Sequence, residues 1–187
     1  QYLSIARIGD LPVDAAASGE PVNYLIVGSD GREPGDGDPD GERSDVVMVA
    51  RVDGHNGEFS VLSLPRDLVV PISGTDDEQR INSAYAIDRA TLMETVREVF
   101  DIELHHYVEV DFDAFEELVD RVGGIPIWVD AALKDDASGL HIDELGCVVL
   151  DGEQALAFVR ARQLQYMTET GGWSAPDPSA DLGRTER

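Results

Sequence analysis

The chain has almost nothing with which to cross-link itself. Its 187 residues contain one cysteine, Cys147, so no internal disulfide can form. That thiol is left free or available to another chain. It has no basic neighbour in sequence, and it reads as a structural thiol rather than a nucleophile. No apolar run approaches the ~20 residues of a spanning helix, and no signal-peptide pattern is read in the given residues. The chain starts at Gln1 rather than Met, and it is expected to be a soluble region of a longer protein. G-x-S-x-G, Walker A and H-E-x-x-H patterns are missing, as are internal repeats. His105 and His106 are adjacent, so on a strand they face opposite ways and do not share a metal. His55 and His141 read as loop residues. Positive charge is scarce too: 14 Lys and Arg against 38 Asp and Glu give a net charge of −24. Such a field excludes general nucleic-acid binding and repels anionic membranes. It suits a saline or extracytoplasmic setting.

What is present is enough for one domain with a real core. Asp36-Gly37-Asp38-Pro39-Asp40-Gly41 opens like a calcium-binding loop, D-x-D-x-D-G. The twelfth position from Asp36 should be a bidentate Glu, but it is Val47, inside the strand-like run Val46-Val47-Met48-Val49-Ala50. A solvated acidic loop is the simpler reading, and a shorter calcium site stays open. The loop ends, Ser29-Asp30-Gly31-Arg32 and Arg43-Ser44-Asp45, each set a carboxylate beside an arginine.

Hydrophobic patterning predicts strands over 22–28 and 45–52, a turn at Asp53-Gly54-His55-Asn56-Gly57, and a hairpin strand over 58–64. Ala86, Leu92, Val96 and Val99 recur at helical intervals and predict one helix over 82–100. A half-buried strand is expected over 106–112 and a helix over 113–122, stopped by Gly123-Gly124. Pro126 makes 125–129 an edge strand. A helix is expected from Asp151 to about Arg162, and a long loop over 163–181. Residues 1–21 form a lead-in and 22–187 the domain. The class is α/β: a three-layer α/β/α sandwich around a central mixed β-sheet.

Arg is the basic residue throughout, Lys134 excepted. Arginine is preferred where carboxylate or phosphate is gripped in a planar fork. Arg32, Arg43, Arg66, Arg80, Arg160, Arg162, Arg184 and Arg187 recur at the ends of the expected elements. Singly, each reads as a solvated or salt-bridged surface arginine. Together they belong to recognisable segments. These are Asn23-Tyr24-Leu25-Ile26-Val27-Gly28-Ser29-Asp30-Gly31-Arg32, Arg43-Ser44-Asp45, Leu62-Ser63-Leu64-Pro65-Arg66-Asp67 and Arg80-Ile81-Asn82-Ser83-Ala84-Tyr85. They continue with His106-Tyr107-Val108-Glu109-Val110-Asp111-Phe112, Val122-Gly123-Gly124, the stretch from Leu150-Asp151-Gly152-Glu153 to Val159-Arg160-Ala161-Arg162, and Asp181-Leu182-Gly183-Arg184. In this order the chain resembles the LytR–CpsA–Psr family, bacterial enzymes that attach glycopolymers to the cell wall.

The resemblance implies a phosphotransferase. It would move a glycopolymer from a polyprenyl-pyrophosphate donor to a peptidoglycan hydroxyl, releasing polyprenyl phosphate. Arg43, Arg66, Arg80, Arg160, Arg162 and Arg184 would face the pyrophosphate, with Arg32 and Arg187 as outer candidates. Asp30 and Asp45 would hold Mg²⁺ (or Mn²⁺) against the phosphates. Arg66 would also count among the catalytic residues, and Asp30 or Asp181 would take the hydroxyl proton. A hydrophobic polyprenyl-binding pocket would be lined by Val108, Val110, Phe112, Phe115, Leu118 and Ile127; ordinary core packing explains each of these equally well. The family implies action at the outer face of the membrane, through an N-terminal anchor outside this sequence. Actinobacterial relatives often pair two cysteines near positions 128 and 147; here Trp128 replaces the first. Two rival readings are a non-catalytic lipid or glycopolymer binder and a pyrophosphatase using water. Teichoic acid, capsule and arabinogalactan are all open as the polymer.

Overall fold

The computed structural model describes residues 11–29 and 44–176, with only the backbone placed at 44 and 45. The chain divides into two compact units, Gln1–Asp111 and Phe112–Arg187.

The first unit is built on a four-stranded sheet in the order β3-β2-β1-β6. Its strands are β1 (Val22–Ser29), β2 (Ser44–Asp53), β3 (Glu58–Leu64) and β6 (His106–Val110). β1 runs antiparallel to β2 and parallel to β6, so the sheet is mixed as expected. Burial alternates along β1, which is the two-residue period of a strand with one covered face. Leu25, Val27, Val47, Val49 and Leu64 point into the core. Tyr85 of α1 (Ile81–Ile87) and Leu92, Met93 and Val96 of α2 (Arg89–Phe100) meet them there. Tyr24, Ile26, Met48, Val61 and Val108 fall on the opposite face by register. A short hairpin, β4 (Val69–Pro71) with β5 (Glu78–Arg80), leads from the end of β3 into α1.

The single helix expected over 82–100 is two helices. Asp88 breaks it with extended backbone, φ −170° and ψ 169°, and its carboxylate accepts from the Thr91 amide at 2.7 Å. A short acidic side chain bonds free first-turn amides better than it serves inside a helix, so Asp88 ends one helix and caps the next. The lead-in is tied down within the same unit. Asp14 accepts from the Leu104 amide at 2.9 Å and from Arg97 at 2.8 Å, and Leu11 packs against the core. His105 is buried and its Nδ1 accepts from the Asn23 amide at 3.0 Å, whereas His106 is exposed, as alternation requires.

The second unit holds α3 (Phe112–Val122), β7 (Ile125–Val129), β8 (Leu133–Asp135), β9 (Leu140–Ile142), β10 (Gly146–Leu150), α4 (Gly152–Arg160) and β11 (Gln165–Tyr166). Among the described residues β7 pairs with β10 alone, in keeping with Pro126. The stop at the end of α3 is a Schellman turn: Gly124 N–H bonds Val119 O at 2.9 Å and Gly123 N–H bonds Asp120 O at 3.1 Å. Both glycines have φ near +90°, conformations that side chains resist. Val119, Val129, Leu133, Leu140, Ile142 and Leu150 form this unit's core. Part of the loop expected over 163–181 is ordered structure: β11 joins β8, and Met167 bridges Trp173. Cys147 is exposed on β10, so the structural-thiol reading is corrected. Its side of the two-stranded ribbon carries Trp128 and faces away from the core. Among the described residues no helix is long and apolar enough to cross a membrane.

Candidate functional site

Sheet geometry places Asp45 and the end of β1 near one another. Ser29 pairs with Ser44 and Gly28 with Val46, so Asp45 is the extra residue of a bulge. A bulge leaves its residue outside the regular ladder, a common device where strands deliver side chains to a site. Asp30, Arg32, Arg43, Asp181, Arg184 and Arg187 lie outside the described residues, and so does the D-x-D-x-D-G stretch.

In the first unit the structure brings Arg66 and Arg80 to one carboxylate. Arg66 follows the last core residue of β3, and Arg80 ends β5 opposite Val69 of β4. Arg66 Nε lies 3.7 Å from Asp67 Oδ2, and Arg80 Nη1 lies 3.3 Å from Asp67 Oδ1. Backbone bonds fix the arrangement: the Ile81 amide donates to Leu68 O at 2.8 Å, and the Asn82 amide to Arg66 O at 3.2 Å. Arg80 and Asp67 are largely exposed, so this pairing is weak in water and open to exchange for a better anion. Asp67 was visible in the Pro65-Arg66-Asp67 segment, but its bridging role required the β4–β5 hairpin.

Glu109 on β6 is a partner that sequence reading passed over. It accepts from Tyr85 Oη at 2.9 Å, Tyr107 Oη at 2.8 Å, and Arg89 Nε and Nη2 at 3.2 and 3.1 Å. Burial alone would raise its pKa, but the bonds from Arg89, Tyr107 and Tyr85 together hold it below the ordinary range. Burial, and then the bond to Glu109, push the Tyr107 hydroxyl well above its usual value. Alternation on β6 was legible; that a glutamate on the covered face would gather three partners was not.

In the second unit Arg160 ends α4, and its guanidinium lies over the Phe112 ring, 4.7 Å from the centroid. A cation over an aromatic face is held there without using up its N–H donors. Arg162 follows after Ala161, where the chain leaves the helix. Asp135, fully buried, accepts from the Arg162 and Gln163 amides at 2.7 Å each. Burial opposes its charge, yet four backbone amides hold its carboxyl below the ordinary range. Nothing in the local sequence singled it out beyond the turn-forming run Asp135-Asp136-Ala137-Ser138-Gly139.

Of the expected pocket residues, Val108 and Val110 share the sheet face of the first unit that points away from its core. In the second unit Phe115 and Ile127 pack partly against the core, Phe112 lies under Arg160, and Leu118 is exposed.

For a divalent ion, the test is the donor set. No group of three or more metal-binding side chains occurs among the described residues. Mg²⁺ is bound through one or two carboxylates plus substrate oxygens, and Asp45, the extra residue of the β1–β2 bulge, is a residue of that type.

Three comparisons place this geometry among known proteins. The LytR_cpsA_psr family matches over residues 6–187. The polyisoprenyl-teichoic acid–peptidoglycan teichoic acid transferase TagU of Bacillus cereus (strain AH820) is 34% identical over 175 residues, covering 93% of this chain and 51% of the relative. The chain therefore spans about half the length of the curated relatives it matches. The crystal structure of B. subtilis TagV superposes with a TM-score of 0.66 at 29% identity, over 91% of this chain and 61% of that one. YwtF (TagT), a LytR-CPS2A-psr family protein solved with octaprenyl pyrophosphate lipid bound, superposes with a TM-score of 0.62 at 28% identity, over 80% of this chain and 61% of its own. With the α/β class, the mixed sheet and a match over nearly its whole length, the chain belongs to the LytR_cpsA_psr family.

Proposed function

We propose that the chain is the catalytic region of a glycopolymer phosphotransferase. It takes a polyprenyl-pyrophosphate-linked glycopolymer as donor and peptidoglycan as acceptor, and it works at the outer face of the cell membrane. The observation that carries this reading is the pair Arg66 and Arg80 on one exposed carboxylate, in a chain of net charge −24. Two arginine forks drawn together in so acidic a protein are suited to a doubly charged phosphate. A family relative binds octaprenyl pyrophosphate, which is a ligand of that chemistry.

In the reaction an acceptor hydroxyl attacks the sugar-side phosphorus. The bond from that phosphorus to the bridging oxygen breaks, and polyprenyl phosphate leaves. The glycan ends in a phosphodiester. The hydroxyl proton passes to a carboxylate, for which Asp30 and Asp181 are the candidates. Catalysis of this kind is positioning plus charge stabilisation. The family resemblance offers Arg66, Arg80, Arg160 and Arg162, with Arg43, Arg184 and the outer Arg32 and Arg187, as cations to offset charge on the leaving phosphate. Mg²⁺, held by Asp30 and Asp45, would supply Lewis-acid stabilisation of the phosphate oxygens when bound. Val108 and Val110 lie on an apolar sheet face suited to a lipid tail.

The test is release of polyprenyl phosphate from such a donor, with Mg²⁺ or EDTA, comparing the native chain with Asp45→Ala and Arg66→Ala. Turnover that needs Mg²⁺ and falls by about 10²-fold in each variant is expected. Equal donor binding in all three with no turnover would instead mean a binding domain. Release with water as the acceptor, unaffected by peptidoglycan, would mean a pyrophosphatase.

A further inference from the structure

Buried carboxylates are costly unless something holds them, and Asp135 is held only partly for its own hairpin. Its Oδ1 accepts from the Ala137 amide at 2.8 Å and the Ser138 amide at 3.2 Å, which closes the turn between β8 and β9. Its Oδ2 reaches across 27 residues of sequence to the Arg162 amide at 2.7 Å and the Gln163 amide at 2.7 Å. The side chain is fully buried, and its bonds to these two amides are short. One oxygen thus closes a turn, and the other clamps two consecutive peptide groups just past the end of α4. That dipeptide has no helix to hold it: Ala161 is already extended, φ −61° and ψ 124°. The direction in which the Arg162 side chain leaves the backbone therefore depends on this clamp.

We propose that Asp135 is a positioning residue for Arg162. It fixes the backbone from which that guanidinium reaches the diphosphate of the donor, and it does so without touching the donor. The inference rests on the reading of Arg162 as a donor contact. Charge-assisted bonds to backbone amides are roughly twice as strong as neutral ones, so an aspartate holds two exit amides more firmly than a neutral side chain would. Placement matters because a 1 Å error in a group facing a reacting phosphate can cost about 10²-fold. Arg160 has a separate support, the Phe112 ring, so the two arginines of this segment are set by different means.

The experiment is a double-mutant cycle on donor affinity. Calorimetric titration with geranylgeranyl diphosphate is run on the native chain, Asp135→Asn, Arg162→Ala and the double variant, each well below its own melting temperature. Val148→Ala, a core truncation in the same unit, serves as the destabilised control. The expected result is that Arg162→Ala and Asp135→Asn each weaken binding about tenfold, a difference of about 1.4 kcal/mol. The double variant should then be no weaker than Arg162→Ala alone, and Val148→Ala should bind like the native chain. If Asp135→Asn does not fold, Asp135→Glu keeps the charge while displacing the carboxylate, and it carries the same expectation. The proposal is overturned if the Asp135 variant binds like the control, or if the two losses add. An Arg162→Ala variant that binds like the native chain overturns the donor reading itself, and the positioning role falls with it.

Discussion

Glu109 shows what a single residue contributes once its neighbours are known. Its carboxylate is held charged by one arginine and two phenols, and its pKa is depressed in the folded state. A depressed carboxyl stabilises the fold above its unfolded value, about 4.3, and that stability is lost as pH falls through the folded value. Glu109→Gln should therefore cost about 2 kcal/mol near neutral pH, because it removes the carboxylate charge that Arg89 bonds. The gap between variant and native chain should close as pH falls below about 4.5, read by urea denaturation across pH. A gap independent of pH would refute the role given to the charge. The same scale explains why arginine positions were legible while their partners were not. Arg66 and Arg80 stand in segments that the family resemblance singles out; Asp67, Glu109 and Asp135 are ordinary acids in a chain that has 38 Asp and Glu.

Among the elements, α4 is the most tightly specified. Asp151 caps it, accepting from the Gln154 amide at 2.9 Å, while the Gln154 side chain returns a bond to the Asp151 amide. Asp151→Ala should cost about 1 kcal/mol in thermal or urea unfolding. Gly152 is stricter. A Cβ there would stand 2.7 Å from the Glu116 Cα of α3, and the obstacle is backbone that cannot turn aside. Gly152→Ala should lower stability by about 3 kcal/mol, more than the loss of the cap. On the β7–β10 ribbon, Trp128 stands directly opposite Cys147. Opposed strand residues have Cα atoms about 4.5–5.5 Å apart, within disulfide range. Trp128→Cys should oxidise to an internal disulfide, removing the exposed free thiol and adding about 3 kcal/mol for a loop of roughly 20 residues. A thiol titration and a reducing-agent comparison of melting temperature would check both. The hairpin ending in β3 was legible because five turn-forming residues separate two apolar runs. The three-residue strands β4, β5, β8 and β9 were not, because so short a segment shows no period.

At the scale of the molecule, the charge of −24 is the dominant fact. Like charges repel across the whole surface, and salt screens them with a Debye length of about 10 Å at 0.1 M. The melting temperature should rise by roughly 5 °C between 10 mM and 0.5 M NaCl, with donor affinity moving the opposite way as the arginine–phosphate attraction is screened. A melting temperature that is flat or falls with salt would show that local ion pairs, such as Arg97 with Asp14, outweigh the net repulsion.

The sequence by itself determined the class, most long elements, the family and where the arginines proposed to face an anion stand along the chain. Each of these depends on residue type and periodicity, which a linear string preserves. Only the tertiary structure decided which acids matter. It set Asp67 between Arg66 and Arg80 through a hairpin of two three-residue strands, gathered two phenols and an arginine on Glu109, and drew Asp135 to amides 27 and 28 residues further along the chain. The physical reason is that a hydrogen bond or ion pair is decided within about 4 Å of space, whereas sequence records only order along the chain.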